Sequence, residues 1–132
     1  MNEKLRFHHL GLASRDVEAE SKVMATLGYR PEGAAFTDPL QGISGRFMVG
    51  SGPRVEVLMP SEGSKVLDPW LSKGIKYYHC AFEVADLDAE ITRQKAAGAV
   101  VVTHAMPAVA FQGRRISFLM LPNMLLIELI ES

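Results

Sequence analysis

A single cysteine, Cys80, among 132 residues excludes an intrachain disulfide and a thiolate zinc cluster. Such sparse cysteine use suits a reducing compartment, and a cytoplasmic protein is the expectation. Charge of one sign is not in excess either: 14 Lys+Arg stand against 15 Asp+Glu, for a net charge of −1. The basic residues fall in short scattered clusters (Lys4–Arg6, Lys73–Lys76, Arg93–Lys95, Arg114–Arg115), which argues against a nucleic-acid partner. Long apolar runs are absent. The longest, Phe118 to Ile130, is interrupted by Pro122, Asn123 and Glu128, and falls short of the roughly 18 residues that cross a bilayer. The segment Met1-Asn2-Glu3-Lys4 opens directly into a strand-like stretch without the apolar centre of a signal peptide. What remains is an ordinary globular composition, and its length suits one domain, 1–132.

The chain repeats itself. Displaced by 70 positions, His9 meets His79, Asp16 meets Asp86, Glu20 meets Glu90 and Gly28 meets Gly98. One inserted residue then brings Gln41-Gly42 onto Gln112-Gly113, and a second brings Val55-Glu56-Val57-Leu58 onto Ile127-Glu128-Leu129-Ile130. Each half reads as a strand (Arg6–Ala13; Lys76–Val84), a helix and three further strands. Asp16 and Asp86 are placed to cap the helices, and Gly28 and Gly98 to end them. Val17, Val23, Met24 and Leu27 mark the apolar face of the first helix; Leu87, Ile91 and Ala97 mark the second. The later strands are expected at Tyr29–Phe36, Gly42–Val49 and Arg54–Met59, then at Val100–Thr103, Arg115–Leu121 and Leu125–Ile130. The expected fold is α+β: two tandem β-α-β-β-β modules, about 5–60 and 76–131, forming a cupped mixed sheet. The linker 61–75 contains a helical turn at Asp68-Pro69-Trp70-Leu71.

Strand periodicity then places the chemistry. His9 shares a face with Phe7, Gly11 and Ala13, and His79 with Tyr77 and Ala81, so each histidine is followed by a small residue on its own face. A lone carboxylate interrupts the apolar last strand of each module, Glu56 in one and Glu128 in the other. A buried carboxylate costs several kcal/mol unless paired, protonated or bound to a cation. Its occurrence at equivalent positions of both repeats, each with an equivalent histidine, calls for a shared reason. One divalent metal ion held by His9, Glu56, His79 and Glu128 supplies it: two imidazoles and two carboxylates balance the charge and suit Co, Ni, Zn, Mn or Fe. His8 lies on the opposite strand face and is not a ligand by this reading. His104 falls outside the repeat and is a surface or cleft residue, and Cys80 is a core thiol. Gln41, Gln112 and Arg115, at the expected rim of the cup, are candidate substrate-binding residues.

The segments His9-Leu10-Gly11-Leu12, Val55-Glu56-Val57-Leu58-Met59-Pro60, His79-Cys80-Ala81-Phe82-Glu83-Val84 and Leu126-Ile127-Glu128-Leu129-Ile130 resemble the vicinal oxygen chelate superfamily. Within it they are most similar to methylmalonyl-CoA epimerases and their glyoxalase relatives. The resemblance implies the glyoxalase-like fold, the same four metal ligands and a homodimer. It also implies a small bidentate substrate, an acyl thioester in the epimerases, whose α-proton is removed to give an enolate. Glu128 matches one of the two carboxylates that move this proton. The other falls where this chain has Leu40, and Asp38, two residues earlier, is the carboxylate left to replace it. Before the last strand, Leu121-Pro122-Asn123-Met124 forms a shorter turn than the epimerases have. A metal-dependent epimerase or isomerase is therefore the leading expectation. A glyoxalase-type lyase on the same metal site, or a non-enzymatic binding or resistance protein, is the alternative.

Overall fold

In the computed structural model, which describes residues 5–132, the elements follow the order read from the repeat. The first module comprises β1 (Leu5–Ala13), α1 (Val17–Ala25), β2 (Arg30–Asp38), β3 (Ile43–Val49) and β4 (Val55–Pro60). A connection carrying the short α2 (Asp68–Leu71) leads to β5 (Tyr77–Val84), α3 (Leu87–Ala96), β6 (Val100–Pro107), β7 (Arg115–Met120) and β8 (Leu126–Glu131). The reading of Met1–Lys4 lies outside the described residues. No helix among the described residues is long and apolar enough to cross a membrane.

The helix boundaries have the chemistry expected of them. The Asp16 carboxylate accepts from the Ala19 amide at 3.1 Å, and that of Asp86 from the Ala89 amide at 3.0 Å. Each satisfies a donor that has no partner inside its own helix. Gly28 and Gly98 follow the two helices at φ of +88° and +103°, where a side chain would be strained.

Chain packing divides the protein into two units, His9–Tyr78, and the start of β1 through His8 with His79–Ser132. In the first, the strand order is β2-β3-β4-β1, with β1 and β4 parallel and the other pairs antiparallel. Helix α1 covers one face, where Leu12, Val17, Met24, Met48, Val55 and Val57 are buried together. In the second, the order is β5-β8-β7-β6 with the same mixture of directions. There α3 covers Val84, Ala99, Leu119, Ile127 and Leu129, with Leu87 from the helix itself. Because side chains alternate along a strand, each sheet has a second face free of its helix, and the two histidines lie on those faces.

Several details depart from the expected pattern. Val23 and Leu27 were assigned to the core face of α1, yet they are 59% and 61% exposed. Ser21 is buried in that stripe instead, its hydroxyl satisfied by the Val17 carbonyl at 2.7 Å. Strand β6 runs on to Pro107, through two register irregularities against β7. A 3-10 turn at Val109–Phe111 follows, closed by Gln112 in the left-handed region.

Candidate metal centre

In the first unit, Gly11 lies beside Glu56 in the parallel β1–β4 ladder. Glycine offers no side chain there, so His9, two residues earlier on the same face, can lean toward the carboxylate. Its Nε2 lies 3.1 Å from Glu56 Oε1, with His9 fully buried and Glu56 nearly so. The second unit repeats the device: Ala81 lies beside Glu128 in the β5–β8 ladder, and His79 Nε2 is 3.3 Å from Glu128 Oε1. All four side chains are buried, and each offers one ligand atom.

This donor set fits a metal ion. Two ligand atoms each about 2.1 Å from an ion, and at right angles about it, lie about 3.0 Å apart. That is close to the nitrogen–oxygen separation within both pairs. Imidazole with carboxylate is a donor chemistry for transition metals, and an ion offsets the cost of removing a carboxylate from water.

Each pair has a third member that sequence reasoning missed. Phe47 stands opposite Glu56 in the β3–β4 ladder, and its ring meets that of His9 at 5.3 Å between centroids, inclined by 69°. Phe118 stands opposite Glu128 in the β7–β8 ladder, and its ring meets that of His79 at 5.1 Å, inclined by 87°. The signal was available: the displacement of 71 that aligns Gln41 with Gln112 also aligns Phe47 with Phe118.

The remaining candidates lie in two settings. Asp38 ends β2 and is 1% exposed. One carboxylate oxygen accepts from the Leu40 and Gln41 amides at 3.1 and 3.3 Å, and the other from the Gln41 side-chain amide at 2.8 Å. The fold thus joins Asp38 to Gln41 and leaves Leu40 exposed at the tip of the turn. In the second unit, Gln112 is exposed beside the 3-10 turn. Arg115 alternates with Ile116 and turns toward α3. Its guanidinium there pairs with Glu131 at 2.6 Å and Asp88 at 3.1 Å. These partners raise its pKa further, and the Arg115 guanidinium in turn holds the Glu131 carboxyl below the usual range.

The other sequence assignments take these places. His8 is half-buried and rests edge-on against Phe111. Cys80 packs against the α3-side core, and burial pushes its thiol pKa up. His104 is exposed at the border of a groove between α3 and β6, of about 620 Å³.

Fold and site together define a duplicated β-α-β-β-β protein with a buried His–Glu pair in each copy. Residues 8–118 match the Glyoxalase/Bleomycin resistance protein/Dioxygenase superfamily, and the chain belongs to it. It is similar to the ethylmalonyl-CoA/methylmalonyl-CoA epimerase of Cereibacter sphaeroides, with 32% identity across 86% of this chain and 87% of the relative. Among solved structures it is similar to a Streptomyces coelicolor methylmalonyl-CoA epimerase variant in complex with 2-nitronate-propionyl-CoA. That likeness has a TM-score of 0.79 and 27% identity, covering 96% of both chains. The Mycobacterium tuberculosis methylmalonyl-CoA epimerase gives a TM-score of 0.78 and 25% identity, over 96% of this chain and 87% of that one. The glyoxalase-like fold is therefore the fold of this chain, and homologues in its family are epimerases.

Proposed function

We propose that this protein is a divalent-metal-dependent epimerase acting on an acyl thioester of the malonyl type, and that His9, Glu56, His79 and Glu128 hold one ion. The observation that carries this reading is the repetition of a buried His–Glu pair at equivalent positions of both modules. The similarity to ethylmalonyl-CoA/methylmalonyl-CoA epimerase supports the substrate class. When bound, the ion supplies Lewis-acid polarisation of a substrate carbonyl, which makes the neighbouring α-proton more acidic.

The chain's own residues do the rest. The imidazoles of His9 and His79 present Nε2 as a neutral ligand, which leaves the carboxylates to balance the charge. Glu128, the buried carboxylate of the second pair, is assigned the α-proton. Asp38 has a different part in this reading. Three hydrogen bonds engage both of its oxygens in the turn that follows β2. It therefore sets the turn that presents Gln41 to substrate. Gln112 and Arg115 are assigned no proton; Arg115 ties β7 to α3 through Asp88. A cytoplasmic homodimer goes with this function.

Leu40 favours one second reading, a glyoxalase-type lyase that works with a single proton-moving carboxylate. The test begins with metal content, by mass spectrometry on protein purified without a metal-affinity tag. It continues with solvent deuterium exchange into methylmalonyl-CoA. About one transition metal per chain with α-proton exchange supports the epimerase. Metal without exchange moves the lyase first. Protein that stays metal-free after incubation with Co²⁺, Ni²⁺ or Zn²⁺ overturns both.

A further inference from the structure

We propose that Phe47 and Phe118 are positioning residues, which fix the ring planes of His9 and His79 and thereby preset the ligand nitrogens. This rests on the metal reading above and adds a third residue to each half of the ligand set. Two side-chain torsions decide where the Nε2 of a strand histidine points. The 3.1 and 3.3 Å separations from the glutamates set the distance of that atom and do not by themselves set the plane of the ring.

An aromatic ring set across the imidazole restricts that plane. Inclined contacts at this range are the favoured geometry for aromatic pairs and contribute about 0.5–1.5 kcal/mol. Both contacts here are steep, at 69° and 87°, with centroids 5.3 and 5.1 Å apart. Each phenylalanine reaches its histidine from the residue directly opposite the glutamate, so one ladder position orients both ligands of a pair. A core-filling role alone does not require the same contact in both modules. The two modules differ on the far side of these rings: the β2 residue opposite Phe47 is Glu32, whereas the β6 residue opposite Phe118 is Thr103. What the copies keep in common is the ring against the histidine. A ring there also limits water on that side of the ligand.

The experiment compares wild type with Phe47→Leu, Phe118→Leu and Phe118→Tyr. Leucine keeps most of the apolar bulk without the ring; tyrosine keeps the ring. Affinity for Co²⁺ and Zn²⁺ is measured by competition with a chelator. The histidine ring signals of the metal-free protein are followed by NMR, and its urea midpoint is recorded. Each leucine variant is expected to weaken metal binding about 3- to 10-fold, with Phe118→Tyr within about twofold of wild type. In the metal-free protein, the ring signals of the facing histidine should collapse toward solvent-averaged positions in the leucine variants and stay dispersed in the tyrosine variant. Wild-type affinity and wild-type histidine signals in both leucine variants overturn the proposal. So does a Phe118→Tyr variant that behaves like Phe118→Leu. A wild type that binds neither metal defeats the metal reading instead, and the histidine signals alone then decide whether the rings hold the imidazoles.

Discussion

Asp38→Asn separates a carboxylate that moves a proton from one that builds a turn. Asparagine keeps the oxygen that accepts from the Leu40 and Gln41 amides, at 3.1 and 3.3 Å, and is as well suited as aspartate to such a turn. It replaces the other oxygen with an NH₂ group, which then faces the Gln41 amide nitrogen where a 2.8 Å hydrogen bond stood. Two donors cannot share that contact, so the Gln41 amide must rotate and offer its oxygen. The charge-assisted bond lost is worth about 1.5–3 kcal/mol, and the neutral bond regained about 0.5–1.5 kcal/mol. The net expectation is roughly 1–2 kcal/mol of stability, read as a lowered urea midpoint. Deuterium exchange into methylmalonyl-CoA is expected to fall by less than about tenfold, mostly through KM, because Gln41 now presents the wrong group. Had Asp38 been the base, exchange would fall by about 10²- to 10⁴-fold with metal content unchanged. That second outcome would refute the assignment of Asp38 to the turn.

His79→Ala and Glu128→Ala should each lower bound metal at least tenfold while circular dichroism stays native; undiminished metal in both removes the site. Gly45→Ala should cost about 1–3 kcal/mol in urea unfolding, since a Cβ would lie 2.6 Å from the Val57 carbonyl oxygen and 2.7 Å from Leu58 Cδ2. Wild-type stability there would show that the β3–β4 ladder yields. Arg115 lowers the folded pKa of Glu131, so the unfolded chain takes up that proton first as pH falls. The stability this adds is complete above the ordinary carboxylate range and is lost as pH drops below it. Glu131→Gln should therefore flatten the acid limb of a stability–pH curve, and an unchanged limb would mean that the pair adds nothing.

Much of this was legible because the duplication printed the same physical solution twice. The caps at Asp16 and Asp86, the terminating glycines and the two His–Glu pairs each depend on local spacing, which a sequence carries explicitly. The pairing of His9 with Glu56 crosses from β1 to β4, yet it was readable because strand period fixes the face and the repeat supplies a second witness. Phe47 and Phe118 escaped notice because an aromatic residue in a strand reads as core, and only the ladder register sets it opposite a glutamate. The groove-side and turn residues were harder. The sequence offers Asp38 as a base and Arg115 as a substrate-binding residue without showing that the Asp38 oxygens engage the turn that carries Gln41, or that Arg115 pairs with Glu131 and Asp88. The far half of β6 was hidden by its irregular register, which breaks the period that betrays a strand.

The stretch that joins the modules, 61–75, is packed. Leu67 is 1% exposed against Ile43 and Leu58, and Trp70 stacks on Tyr78 with ring centroids 4.5 Å apart. A gene encoding the two modules as separate polypeptides would strand these side chains at a new terminus. The same holds for a circular permutant opened between Pro60 and Tyr77. For protein engineering, the seam visible in the repeat is the wrong place to cut; the exposed Gly63 turn, where an added Cβ meets no other atom, is the local exception.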